Sequence, residues 1–138
     1  MNINAIKKKN TVEGNLKDNA DIGLKNKNRL EVASELSKFL ASTYVLYMKT
    51  LYYHWNVTGK QFNSLHTMFG EQYEDLHHAG DKIAERVRAL GHYTPGTFKN
   101  FIEHSILEED NNLPEEADIM VSNLLQDNES CSVEARRV

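Results

Sequence analysis

Only one cysteine occurs in the chain, Cys131, so no disulfide can form within it, and a reducing cytosol is the expected compartment. Two prolines and seven glycines leave long stretches without a helix breaker. Val and Ile are too sparse to supply a set of regular strands, so the expected fold is all-α. No apolar run approaches the roughly 20 residues that cross a bilayer, which argues against membrane insertion. The first ten residues hold a lysine run with no apolar stretch behind it, so no secretory leader is expected.

What is present is 138 residues with 40% hydrophobic content, enough for one domain with one core. Charge is unevenly spread. Residues 1–28 hold six lysines against three acidic residues, whereas residues 29–138 hold ten basic against seventeen acidic groups. An acidic body suits cations, and a basic arm suits phosphates at low salt. Residues 1–28 also lack any sustained hydrophobic period, and the division expected is a lysine-containing arm over 1–28 and a helical domain over 29–138.

From Leu30 onward, Ala33, Leu36, Phe39, Leu40, Val45, Met48, Leu51, Tyr52 and Trp55 recur mostly at three- and four-residue steps, the signature of a long amphipathic helix. Residues 56–60 interrupt it. Asn63 or Ser64 can cap a second helix, whose stripe is Leu65, Phe69, Leu76, Ile83 and Val87 and which closes at Leu90 before Gly91. After the turn at Pro95 and Gly96, the residues Phe98, Phe101, Ile102 and Ile106 predict a short helix or packed connector. Pro114 marks the next start, with Ala117, Met120, Val121, Leu124 and Leu125 as its apolar face. A bundle would want one more long helix.

Four residues carry N or O donors suited to Fe, Mn or Zn: His54 at the end of the first helix, His66 at the start of the second, and Asp81 and Glu85 one turn apart farther along. At about 100° per residue, Asp81 and Glu85 lie roughly opposite the second helix's apolar stripe. The competing reading is a solvated acidic face paired with Lys82, Arg86 or Arg88. His66 precedes Asp81 by fifteen residues, about 22 Å of helix axis, so one straight helix cannot bring both to one ion. His54 and His66 flank a tight turn and can meet. A second copy lying antiparallel across a two-fold axis would bring its Asp81 and Glu85 to them, and symmetry would make two such sites.

The segments Tyr53-His54-Trp55-Asn56, Leu65-His66-Thr67-Met68-Phe69 and Asp81 to Gly91 together resemble the DNA-protection-during-starvation (Dps) miniferritins, over about residues 30–125. The resemblance implies a ferritin-like four-helix bundle subunit and a dimer-based hollow dodecamer. It further implies oxidation of iron from Fe(II) to Fe(III), mainly by hydrogen peroxide, with ferric mineral stored inside and DNA thereby protected. It assigns His54, His66, Asp81 and Glu85 as ligands shared between two subunits, and it places Trp55 beside the site, as a relay of oxidising equivalents or as interface packing.

The chain departs from that pattern in two places. Gly70 stands one turn after His66, where the family commonly has an acidic residue, and Glu74 one turn on is the candidate substitute or an ordinary exposed glutamate. The family's last core helix is absent, so the chain reads as C-terminally shortened, with parts of the Leu36, Phe39, Leu76 and Val121 faces left wet. Asp110, Glu115, Glu116 and Asp118 are candidate iron guides or solvated helix-start residues. Glu74-x-x-His77 is half of a single-chain di-iron motif with no second Glu-x-x-His in the chain. His92, His104 and Cys131 have no companions at metal spacing. Beside the ferroxidase reading stand two alternatives, a nucleoid DNA-binding module acting through Lys7, Lys8 and Lys9, and an inactive truncated paralogue.

Overall fold

A computed structural model describes residues 21–138. The lysine run at Lys7 to Lys9, and with it most of the expected basic arm, lies outside the described residues. The helices are α1 (Asn26–Asn56), α2 (Phe62–Ala89), α3 (Phe98–His104) and α4 (Ala117–Ala135). Among the described residues there are thus three long helices, one short one and no strand.

Helix α1 starts four residues before the expected Leu30, inside the segment read as arm. Hydropathy missed this turn because it is polar: Arg29 is buried and donates from its guanidinium to the Asn26 side chain. Helix α1 stops where Val57 turns extended, and Gly59, at φ +104, reverses the chain in a region that L side chains rarely adopt. Helix α2 begins at Phe62 with no side-chain cap, so neither Asn63 nor Ser64 performs the expected role. It ends as the sequence implied. Gly91 takes φ +85 just past Leu90, and the amide of His92 reaches back to the carbonyl of Val87, which satisfies one of the helix's last acceptors.

Thr97 caps α3 by accepting from the amide of Asn100 at 3.2 Å. Helix α4 begins at Ala117, three residues after Pro114, and runs on to Ala135, well beyond Leu125. Its inner face is continued by Cys131, which is buried beside Met120 and Leu124.

Helix α1 is the centre of the molecule, with α2 along one side and α3 and α4 against it. The main core joins Val45, Leu46 and Tyr53 of α1 to Leu65 and Phe69 of α2 and to Met120, Leu124 and Cys131 of α4. Fully burying side chains of this size contributes about 1.5–3 kcal/mol each. Leu40 and Ala41 form a second cluster with Phe101, flanked by Tyr44 and Ile83. Leu36, Phe39, Leu76 and Val121 are half-buried, and Leu125 is exposed.

A buried polar network ties α4 and the preceding connector to α1. Lys49 donates to Asp127 at 2.6 Å and lies 3.8 Å from Asp110, and the Tyr53 hydroxyl donates to Asp110. Asn123 donates in turn to the Tyr53 oxygen at 3.1 Å. Burial and the Asp110 carboxylate both push the Tyr53 hydroxyl well above the ordinary tyrosine range.

Candidate metal centre

The turn between α1 and α2 brings His54 and His66 into face-to-face contact, with ring centroids 3.8 Å apart and planes 18° from parallel. Each ring also bonds the other residue's main chain: His54 Nδ1 lies 2.7 Å from the His66 carbonyl, and His66 Nδ1 lies 2.8 Å from the His54 carbonyl. A carbonyl can only accept, so each Nδ1 carries the hydrogen. In a neutral ring bonded this way Nε2 is the lone-pair nitrogen, the atom a metal needs, and the two bonds hold both rings in orientation.

The pair sits inside a short aromatic column. Phe62 stacks on the outer face of His66 at 5.1 Å, and the edge of Tyr73 meets His54 at 5.2 Å. Gly70 faces the same ring: a Cβ there would lie 3.3 Å from His54 Cε1 and 3.5 Å from Nδ1. The position that lacks the family's acid is therefore also the one that gives the His54 imidazole its seat. Trp55 projects to solvent at 63% exposure.

Asp81 and Glu85 are exposed on α2 and make no hydrogen bond or ion pair with any described residue. The competing pairing with Lys82, Arg86 or Arg88 is not formed. Arg88 instead stacks over Tyr93 at 4.9 Å and donates to the His92 carbonyl. The structure thus brings the two imidazoles together and leaves the carboxylates far down the same helix. Among the described residues of one protomer, no group of three or more His, Cys, Asp or Glu side chains is placed to hold a metal.

Of the other candidates, Glu74, His77 and His78 are exposed on α2, with His77 leaning on Tyr47 at 5.8 Å. Asp110 is held by Tyr53, Asn123 and Lys49 and so belongs to the polar network. Glu115, Glu116 and Asp118 line an open depression with Thr58, Gly59, Lys60 and Gln61. His104 bonds the carbonyl of Asn100 within α3. The Cys131 thiol is pushed up to about 12 by burial and by the nearby Glu134 and Asp127, which keeps it protonated and unreactive near neutral pH.

Residues that hydropathy overlooked, Phe62, Gly70 and Tyr73, build the surroundings of the histidines. Their signal was angular, since Gly70 and Tyr73 follow His66 by four and seven residues and share its side of the helix.

Residues 33–138 match the ferritin-like domain family. Among relatives, a low-temperature-induced protein of Nostoc sp. (strain PCC 7120) is 44% identical over 79% of this chain and 61% of its own length. The chain thus spans less than two thirds of that relative. The DNA protection during starvation protein 2 of Bacillus anthracis is 37% identical over 78% of this chain and 73% of its own length. Among solved structures, the Dps protein of Vibrio cholerae O1, described as a member of a broad superfamily of ferritin-like diiron-carboxylate proteins, aligns with a TM-score of 0.81. It is 29% identical, over 86% of this chain and 74% of that one. No described helix is long and apolar enough to cross a membrane. With its motifs, its helical arrangement and these relatives in agreement, the chain belongs to the ferritin-like proteins and, within them, to the Dps family.

Proposed function

We propose that the chain is a cytoplasmic ferroxidase and iron-storage subunit in which two copies share each metal centre. His54 and His66 of one copy meet Asp81 and Glu85 of the other, and Fe(II) bound between them is oxidised by hydrogen peroxide. The observation that carries this reading is the division of donors: a rigid imidazole pair with both Nε2 atoms free, and two unpaired carboxylates that begin about 22 Å beyond His66 along the same helix. Neither half is a site alone. An antiparallel two-fold pairing completes two of them at once.

Iron is the substrate. Imidazole suits Fe(II), and the carboxylates favour the harder Fe(III) left after electron loss. Two Fe(II) ions each give one electron to one peroxide, which takes up two protons and leaves as two waters. Consuming Fe(II) and peroxide together removes the pair that generates hydroxyl radicals, and ferric product held in a closed shell of such dimers, a dodecamer in this reading, would be stored. This is the form of DNA protection the reading assigns, in line with the name of the Bacillus anthracis relative.

The test is mixing. His54→Ala/His66→Ala subunits and Asp81→Ala/Glu85→Ala subunits should each fail to oxidise Fe(II). Randomly mixed pairs regain one intact site in half of the dimers, so about a quarter of wild-type activity should return. Absence of any recovery, or a monomeric preparation as fast as the assembled one, sinks the reading.

A further inference from the structure

We propose a second divalent-cation site on the dimer axis, built from the Glu74-x-x-His77 motifs of two copies of this chain; it rests on the pairing advanced above. If His66 of one copy meets Asp81 and Glu85 of the other, the two-fold axis crosses α2 midway between them, at about residues 73–76. At that level the exposed side of α2 carries Glu74 and His77, one turn apart, on the stripe that continues through His78 to Asp81 and Glu85. Glu74 makes no hydrogen bond or ion pair with any described residue. His77 is held by Tyr47 at 5.8 Å, and Tyr47 is itself steadied by the edge of Tyr73 at 6.1 Å.

Symmetry then imposes a charge problem. Two Glu74 carboxylates are brought to within about one helical turn of each other across the axis, in an interface that excludes part of the water, where like charges repel. Among the described residues, no lysine or arginine stands on α2 at this level. Lys82 lies about 80° round the helix from Glu74, and Lys49 is committed to Asp127. A bound divalent ion resolves the repulsion. Each copy supplies one carboxylate and one imidazole, so the pair supplies four donors of the kinds that Zn(II), Co(II) and Fe(II) accept. Facing Glu-x-x-His motifs on two helices are how di-metal helical bundles build their sites, and here the second motif comes from the second copy.

Co(II) is the probe, titrated into the full-length chain, with bound metal counted by equilibrium dialysis and coordination read from its visible absorption. Wild type should hold about three Co(II) per pair of chains, two at the shared His54/His66 centres and one on the axis. Glu74→Ala and His77→Ala should each lose about a third of the bound metal, with helicity unchanged because both residues are exposed. His54→Ala/His66→Ala should lose about two thirds and keep the axial ion. If Glu74→Ala and His77→Ala retain the wild-type count, the axial site is overturned and the shared centre stands. If those two variants lose metal while His54→Ala/His66→Ala loses none, the shared centre is overturned instead. Chains that stay monomeric in saturating Co(II) overturn both.

Discussion

Replacing Gly70 by alanine sets two effects of known size against each other. Helix propensity favours the substitution by about 1 kcal/mol. The new Cβ, however, would sit 3.3 Å from His54 Cε1, so the imidazole must move by a few tenths of an ångström. The ring has little room to do so, because it is bonded at 2.7 Å to the His66 carbonyl and stacked at 3.8 Å on the His66 ring. Straining that bond costs about 0.5–1.5 kcal/mol, enough to cancel most of the propensity gain. The expected outcome is a melting temperature within about 4 °C of wild type. Metal affinity at the His54 centre should still fall about tenfold, as when the groups that orient a ligand are disturbed. Calorimetric melting together with Co(II) titration separates the two. Unchanged affinity with a gain of the full 1 kcal/mol would refute the idea that Gly70 seats the ring. Gly80→Ala is the control at a second tight position. Its Cβ would meet Tyr44 at 3.0 Å, and Tyr44 is pinned in a 4.6 Å stack on Phe101. This variant should lose about 1–2 kcal/mol of stability and leave metal binding alone.

Lys49→Met removes the cation between Asp127 and Asp110 and should cost about 3 kcal/mol in urea unfolding, while Lys49→Met/Asp127→Leu recovers part of the loss; equal losses in the single and double variants would show that the ion pair is not what stabilises α4. Alkaline stability is the other expectation. Both Tyr53 and Cys131 have folded-state pKa values raised above their unfolded values of 10.0 and 9.0, so each supports the fold while protonated, and that support drains as pH climbs past the unfolded value. Stability should drop by up to about 1.4 kcal/mol per pH unit per group, above pH ~9 for Cys131 and above pH ~10 for Tyr53, and Cys131→Ala should flatten the slope where the thiol titrates, measured by urea melts from pH 8 to 11.

The helices were legible wherever apolar residues repeat against polar ones, as in the Leu65, Phe69 and Val87 stripe, because burial there rests on a periodicity the sequence displays. It was unreadable where polar groups are buried. Arg29 begins α1 through a side-chain bond to Asn26, and Lys49 sits inside on the strength of carboxylates 61 and 78 residues away in sequence, pairings that no local pattern records. Helix α4 outlasts Leu125 for a similar reason: its inner face narrows to Cys131, too thin a stripe to register as periodic. The candidate site divides the same way. That His54 and His66 could meet followed from a short turn between antiparallel helices, whereas the reciprocal ring-to-carbonyl bonds depend on backbone geometry that only coordinates reveal.

The two halves of the proposed centre differ in rigidity, and this bears on how it would take up iron. The imidazoles are confined by the stack, by two main-chain bonds and by Phe62 and Tyr73 on their flanks, so little rotamer freedom remains for metal to remove. Asp81 and Glu85 are solvated and unpartnered, and each must surrender side-chain entropy and water when it coordinates. Most of the ordering cost of a shared centre therefore falls on the carboxylate copy, and metal entry and dimer closure become linked: whatever holds the subunits together also pre-positions the carboxylates, and a bound ion stabilises the dimer in return. A pocket preformed within one chain would show no such coupling, so a dimer dissociation constant that tightens with added Fe(II) in the absence of oxidant is the thermodynamic mark of a centre divided between copies.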